Sequence, residues 1–333
     1  LTLEEHKIVP FAGRVQARFQ GGGLASAPLV DKRARLLLPA PAPGELDRVW
    51  VQAESEEVLL QRQFAVFGIG GEVKGLERRQ AEMVVMTVDN GAVRFSSALD
   101  FGPALFSLEY QGREWLDSSY PEPSPKSWWN PWLGGLALDI ETLSKRSLLR
   151  EPRTCQFVSR EDTVGNLWQG LHLQVDVREH EKFQGLKLSH YILTLPGLAG
   201  LCMFAQVEHG GAVIEDVECL NEVFLAPGGT VEGSWCEAVT PQGEAVRYKQ
   251  GSGLQSPMVR KLFYGSSACP NRLLTLSVTD TDIYTNKYVI VFESWSKFHL
   301  IPGQKVITPP QFLLFVQEDI PEPALEPLAK IRF

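Results

Sequence analysis

The sequence predicts an all-β fold, one large antiparallel sandwich following a small β-rich N-terminal region. Three observations carry that reading. Short segments rich in Val, Leu, Ile, Phe and Tyr recur along the chain, each bounded by Gly, Pro, Asn or Asp, the pattern of strands closed by turns. Helical signals are scarce, and the best of them, Glu4 to Val9, is too short to matter. Nothing between the strands is long and periodic enough to be a crossover helix, so the pairing is antiparallel.

Taken in order, Arg33–Leu38, Arg48–Ala53 and Gln63–Phe67 supply strands of the N-terminal region, placed at about residues 1–84. The stiff segment Pro39-Ala-Pro-Ala-Pro43 divides that region. Residues 85–333 form the main domain, with the sandwich body ending near 320. Its first hairpin joins Met83–Val88 to Ala92–Ser97 through Asp89-Asn90-Gly91, where Asn-Gly accepts the positive φ angles of a type I′ turn. Further strands are expected at Leu105–Tyr110, Leu171–Arg178, Leu186–Leu195, Leu201–Glu208, Leu273–Val278, Tyr288–Glu293 and Gln311–Gln317. The proline-rich tail, Pro321 to Pro327, reads as an extended strap over the surface.

Composition narrows the function. The chain has 333 residues, 44% hydrophobic and 22% charged, enough to bury a sizeable core. Its net charge of -8 disfavours nucleic acid, whose phosphates require a basic surface. No apolar run approaches a membrane span, so no membrane partner is expected. Five widely spaced cysteines point to reduced thiols and a cytoplasmic location. A first residue of Leu suggests a processed product or one domain of a longer polypeptide, so another domain of the same chain is a candidate partner.

Absent motifs prune further. There is no phosphate-cradling loop, and Phe67-Gly-Ile-Gly-Gly71 does not complete a dinucleotide fingerprint. The zinc-protease helix, the Cys-x-x-Cys pair and the Gly-x-Ser-x-Gly elbow are missing as well. No cofactor or metal is implied.

Three constellations remain. Trp128, Trp129, Asn130 and Trp132 lie in one stretch interrupted by Pro131, which reads as a loop. An indole stacks on the apolar face of a sugar ring and offers an N–H donor. The rings either plug the end of the sandwich or face a ligand. In Leu171–His180, alternation puts His172, Gln174, Asp176, Arg178 and His180 on one face, either a plain solvent face or a row able to bind hydroxyls. His172 and Asp176 are the candidate ligand contacts. His190 instead shares a face with Leu186, Leu188 and Ile192 and reads as a core histidine. Glu215, Asp216, Glu218 and Glu222 read as a charged turn or as carboxylates available for paired chemistry. Glu293 ends an apolar strand beside Trp295, where it is either desolvated or in water.

Met86–Phe95, followed by Gly102–Trp115, resembles the opening of galactose mutarotase-like proteins, in which an early hairpin leads into a further strand. Tyr191–Gly197 and Leu201–Glu208 resemble the central paired strands of that fold, and Phe298–Gln304 resembles the turn before its last long strand. The resemblance covers about 85–320. It implies a super-β-sandwich whose concave sheet binds sugars, and a histidine acid with a late glutamate base for aldose epimerisation. The stretch Glu218–Leu225, where that histidine is expected, holds Asn221 and Glu222 instead. The expectation is therefore a carbohydrate-binding protein, with His180 or Glu222 and Glu293 as candidate acid and base if it is catalytic. The alternative is a non-catalytic accessory or interaction domain.

Overall fold

The computed structural model describes all residues except 1, 5–12, 21, 31–32, 55–58, 141–144, 241–243, 258 and 280, and only the backbone of 2–4 and 145–146. The short helical signal falls, from residue 5 onward, outside the described residues. Two ten-stranded antiparallel sheets dominate the fold. The path of the front sheet runs from Gly253–Gln255 through Thr281–Thr285, Ile290–Leu300, Glu215–Leu225, Leu136–Ile140, Ala104–Tyr110, Val93–Ala98 and Met83–Asp89 to Lys74–Gln80. The back sheet runs from Arg153–Glu161 through Leu167–Asp176, Leu186–Thr194, Gly200–His209, Gln311–Val316, Cys269–Leu276, Lys261–Ser266 and Ser234–Val239 to Ala245–Lys249.

The sheets meet through alternate residues. Phe95, Leu105, Leu136, Val223 and Phe292 of the front sheet interlock with Leu171, Leu201, Leu273 and Leu313 of the back sheet. Each such side chain contributes about 1.5–3 kcal/mol by leaving water. The expected hairpin at Asn90-Gly91 forms, with Asp89 opposite Arg94, but only Gly91, at φ 90°, takes a positive φ, so the turn is not the type I′ turn expected. Asn90 does more than turn the chain. Its buried amide donates to Thr194 Oγ1 at 2.6 Å and to the Leu198 carbonyl at 2.8 Å, and accepts from the Val93 N–H at 2.8 Å, pinning the front hairpin to a turn of the back sheet.

The small N-terminal sheet holds Leu24–Pro28, Arg14–Phe19, Leu46–Glu54 and Leu59–Phe67 over its own apolar layer. Strands then pass to the sandwich between Phe67 and Lys74, ahead of the expected boundary near 84, which falls inside the strand Met83–Asp89. The reason is that Lys74–Gln80 is an edge strand exposed at every position, so no apolar alternation announces it. The tail also differs from expectation. Glu322–Ala329 is helical rather than an extended strap, with a proline in its first turn, where the missing N–H costs nothing. Ala324 and Leu325 bury against Phe312 and Leu314 on the outer face of the back sheet, and that packing outweighs Pro327 inside the helix.

His190 sits in the core as its alternation predicts, 2% exposed. Neither ring nitrogen has a hydrogen-bond partner of good geometry. Burial pushes its pKa down to about 3, helped by positive charge on His172, while the nearby Asn221 amide acts weakly the other way. The unfolded chain takes up this proton below about pH 6.5 and the folded chain does not, so stability falls as pH drops from 6.5 toward 3. Burial lowers His172 in the same direction. Between pH 7.5 and pH 5, His190 alone is expected to remove about 2 kcal/mol of stability. Urea unfolding at the two pH values checks this, and His190→Leu is expected to shrink the difference by about that amount.

Candidate functional site

The two central strands of the front sheet, Glu215–Leu225 and Ile290–Leu300, are paired in unbroken register. Val217, Cys219, Val223 and Leu225 point into the core, so Asp216, Glu218, Leu220, Glu222 and Phe224 must point outward. The charged-turn reading of this stretch is therefore replaced by a central strand, because its apolar residues occur at every second position. Glu222 lies directly opposite Glu293, and Glu293 lies opposite Asp282 on the next strand. Cβ atoms of directly opposed residues are roughly 5 Å apart. Three carboxylates thus form one row across the outer face. Glu222 is 3% exposed, while Glu293 and Asp282 are half-buried. Asp282 accepts a short hydrogen bond from Ser256 Oγ. The adjacent row places Asp139, Leu220 and Trp295 side by side.

Below the carboxylates the face turns aromatic. The tryptophan stretch is not a plain loop but a short hairpin, with Trp129–Trp132 paired to Ser124–Lys126. Pro131 is tolerated because a two-stranded ribbon leaves alternate backbone N–H groups unpaired within it. The hairpin lies flat on the front sheet. Trp132 is 3% exposed and packs edge-on against Phe224 at 5.4 Å, and Trp129 meets the same ring at 5.2 Å. Trp128 is 62% exposed; it stacks on Trp129 at 4.6 Å and meets Tyr284 edge-on at 4.7 Å. The rings divide by burial, since Trp132 is packed beneath the hairpin and Trp128 stands exposed above it. Asn130 is exposed at the hairpin's rim.

Lys126 clamps the hairpin. Its ammonium pairs with Asp117 and lies 4.2 Å from the centre of the Trp132 ring. Burial raises the Asp117 pKa, and the Lys126 ammonium opposes that rise. Gly134 and Gly135 then return the chain into the sheet at φ 66° and 68°. A Cβ on Gly135 would stand 1.9 Å from the Leu105 carbonyl oxygen, so only glycine permits this re-entry.

The other predicted residues lie elsewhere. His172 and Asp176 sit on the outer face of the back sheet, on the far side of the sandwich from Trp128 and Glu222, because Leu171, Leu173 and Val175 fill the core. His172 stacks on Tyr191 at 4.4 Å, its Nδ1 accepting from Gln156. Asp176 accepts from Gln174 and pairs with Arg178. His180 is not on that strand at all, since the strand ends at Asp176. The buried Glu151 carboxylate accepts the backbone N–H groups of Arg178, Glu179 and His180 at 2.7–3.1 Å and draws the chain into a loop. His180 Nδ1 then accepts from the Phe183 N–H. The predicted trio is thus divided, with Glu222 beside Glu293 and His180 apart from both. Of the described histidines, only His299 shares the outer front face with Glu293. It lies six positions along the strand, about 20 Å away, and is paired with Asp216.

Sequence reasoning missed Asp282, Tyr284, Phe224, Lys126 and Trp295. The available signal was the two-residue phase that Trp295 shares with Glu293, and Asp282 with Tyr284. All five cysteines are free, and burial raises the Cys155 and Cys219 thiols to about 12, which makes them poor nucleophiles. No described helix is long and apolar enough to cross a membrane. Among the described residues no cluster of three or more His, Cys, Asp or Glu could hold a metal ion.

No family model and no curated protein matches the sequence. Solved structures do. A candidate aldose 1-epimerase from Klebsiella pneumoniae shares 10% identity at a TM-score of 0.50, covering 86% of this chain and 88% of that one. A galactose mutarotase related enzyme from Lactobacillus acidophilus shares 9% at 0.50, covering 72% and 97%. A TPR-domain containing protein from Parabacteroides distasonis shares 10% at 0.50 over 82% of this chain, which spans only 50% of that longer one. At these identities the likeness is one of fold. The chain has the super-β-sandwich fold of galactose mutarotase-like proteins.

The hairpin geometry separates its tryptophans by stability. Trp132→Ala is expected to cost about 3–5 kcal/mol by opening a cavity against Phe224, and Trp128→Ala less than about 1 kcal/mol. Denaturant unfolding of the two variants checks the contrast.

Proposed function

We propose that the chain binds carbohydrate on the outer face of the front sheet, between the tryptophan hairpin and the carboxylate row. The observation that carries the proposal is the Trp128 indole, 62% exposed yet held against Trp129 and Tyr284, on the face that also bears Glu222, Glu293 and Asp282. A rigid aromatic plane takes the C–H face of a pyranose, and adjacent carboxylates accept hydrogen bonds from its hydroxyls. The fold shared with the Klebsiella and Lactobacillus proteins supports the reading. If the site turns sugar over, Glu222 and Glu293 are its acid and base. One carboxyl gives a proton to the ring oxygen while its neighbour takes one from the anomeric hydroxyl, opening the ring, and the reverse transfers close it.

A second reading is a non-catalytic accessory domain. It is favoured by the lack of a described histidine near Glu222 and Glu293, and by the match to half of a longer TPR-domain containing protein.

Tryptophan fluorescence titrated with neutral monosaccharides, uronic acids and oligosaccharides tests the first reading. A saturable change is expected with one class and should disappear in Trp128→Ala. No response to any sugar, or a response untouched by that substitution, refutes the placement. Anomer equilibration followed by NMR then separates the two readings. Acceleration lost by at least about a hundredfold in Glu293→Gln supports proton transfer, and no acceleration by the wild type leaves binding alone.

A further inference from the structure

The outer face of the small N-terminal sheet carries a different chemistry from the front sheet. Val15, Ala17, Val49 and Val51 point into the small sheet's own core, so Gln16, Arg18, Trp50 and Gln52 point outward. Register assembles these into two rows. Gln16, Gln52 and Gln61 are directly opposed across three strands, and the next row is Arg18, Trp50 and Gln63. Trp50 is 40% exposed in the middle of the second row. A trough of about 1010 Å³ runs over this face and is lined by residues of the small sheet's strands and by Gln20 and Gly22 from the connection between two of them.

The indole is held in place. Arg48 sits 5.5 Å from the ring centre of Trp50 and is itself fixed by an ion pair with Glu318 and a 2.7 Å hydrogen bond to Gln20. Gln61 donates to Gln52, and Gln52 to Glu54, which orders one amide row. The side chains of Gln16, Arg18 and Gln63 make no hydrogen bond among the described residues, so their donors and acceptors remain available.

We propose that this face is a second saccharide-binding surface, for an extended neutral glycan chain that stacks one residue on Trp50 and lies along the amide rows. A primary amide pairs one donor group and one acceptor, matching a vicinal diol, and an indole matches the apolar face of the same ring. Glu318 offsets Arg48, and Glu54 lies opposite Arg14, so Arg18 is the one charged side chain among the six residues of the two rows, which fits an uncharged polymer better than an anionic one. A protein partner would favour a dry apolar ring around the tryptophan. Here its strand neighbours across the sheet are Arg18 and Gln63. The proposal does not rest on the front-sheet site.

The test is native affinity electrophoresis of the full chain through gels containing galactomannan, mixed-linkage β-glucan or arabinoxylan, with polygalacturonate as the anionic comparison. At least one neutral polymer is expected to slow the protein. Trp50→Ala should weaken that interaction at least about tenfold, Trp50→Phe less, and Trp128→Ala not at all. Because Trp50 is exposed, an unchanged melting temperature in the variant confirms that the fold is intact. Three results overturn the proposal. One is no retardation by any polymer. Another is retardation by polygalacturonate alone, lost in Arg18→Gln and kept in Trp50→Ala. The third is retardation that Trp128→Ala abolishes, which assigns it to the front sheet.

Discussion

The structure depends on one constraint, the two-sided commitment of the central front strands. Glu215–Leu225 and Ile290–Leu300 must give every second residue to the core between the sheets. Once Val223, Leu225, Ile290 and Phe292 are buried there, Glu222 and Glu293 have no choice of side. A one-residue slip of either strand would bury a carboxylate opposite Leu171 or Leu313 and expose the apolar set, a cost far beyond any local preference. The acidic row is thus a by-product of core packing, and its straightness follows from register.

The same face illustrates how a sheet tolerates a bulky aromatic cluster. Phe224 and Val291 point outward from central strands and would be exposed if left bare. The tryptophan hairpin covers them, using Trp132 as the buried contact and the Lys126–Asp117 pair as the fastening. What remains above that cover is Trp128, stacked on Trp129 and edge-on to Tyr284, so its side chain keeps little freedom. The platform is rigid because of the plug beneath it.

Buried polar groups fix the connections between layers. Asn90 joins the front hairpin to the turn after the Leu186–Thr194 strand, and Glu151 gathers the three backbone N–H groups that shape the His180 loop. Glu114 likewise accepts from the backbone N–H groups of Leu108, Trp115 and Leu116 at 2.8–3.0 Å. Each is a side chain far better paired than its sequence context suggests. Each makes the backbone around it a defined turn rather than a mobile one. His190 and Asn221 are among the buried polar groups whose nitrogen or oxygen atoms are left unpaired.

Features that depend on neighbours along the chain were legible from the order of residues. Two-residue alternation dictated antiparallel strands and the core position of His190, and the Asn-Gly pair marked the hairpin that joins Met83–Asp89 to Val93–Ala98. Alternation also placed His172 and Asp176 on one face together. It could not say which face of the molecule that was, and they lie behind the sandwich rather than beside the tryptophans. Only the tertiary structure decided that Glu222 and Glu293 are side by side, since 71 positions separate them and local periodicity carries no information about which strands pair. Only the tertiary structure removed His180 from its strand, because the carboxylate that captures that segment, Glu151, lies 27–29 residues earlier and is buried by packing around it. Periodicity tells a side chain whether it faces in or out, and hydrogen bonding between distant segments decides what it faces.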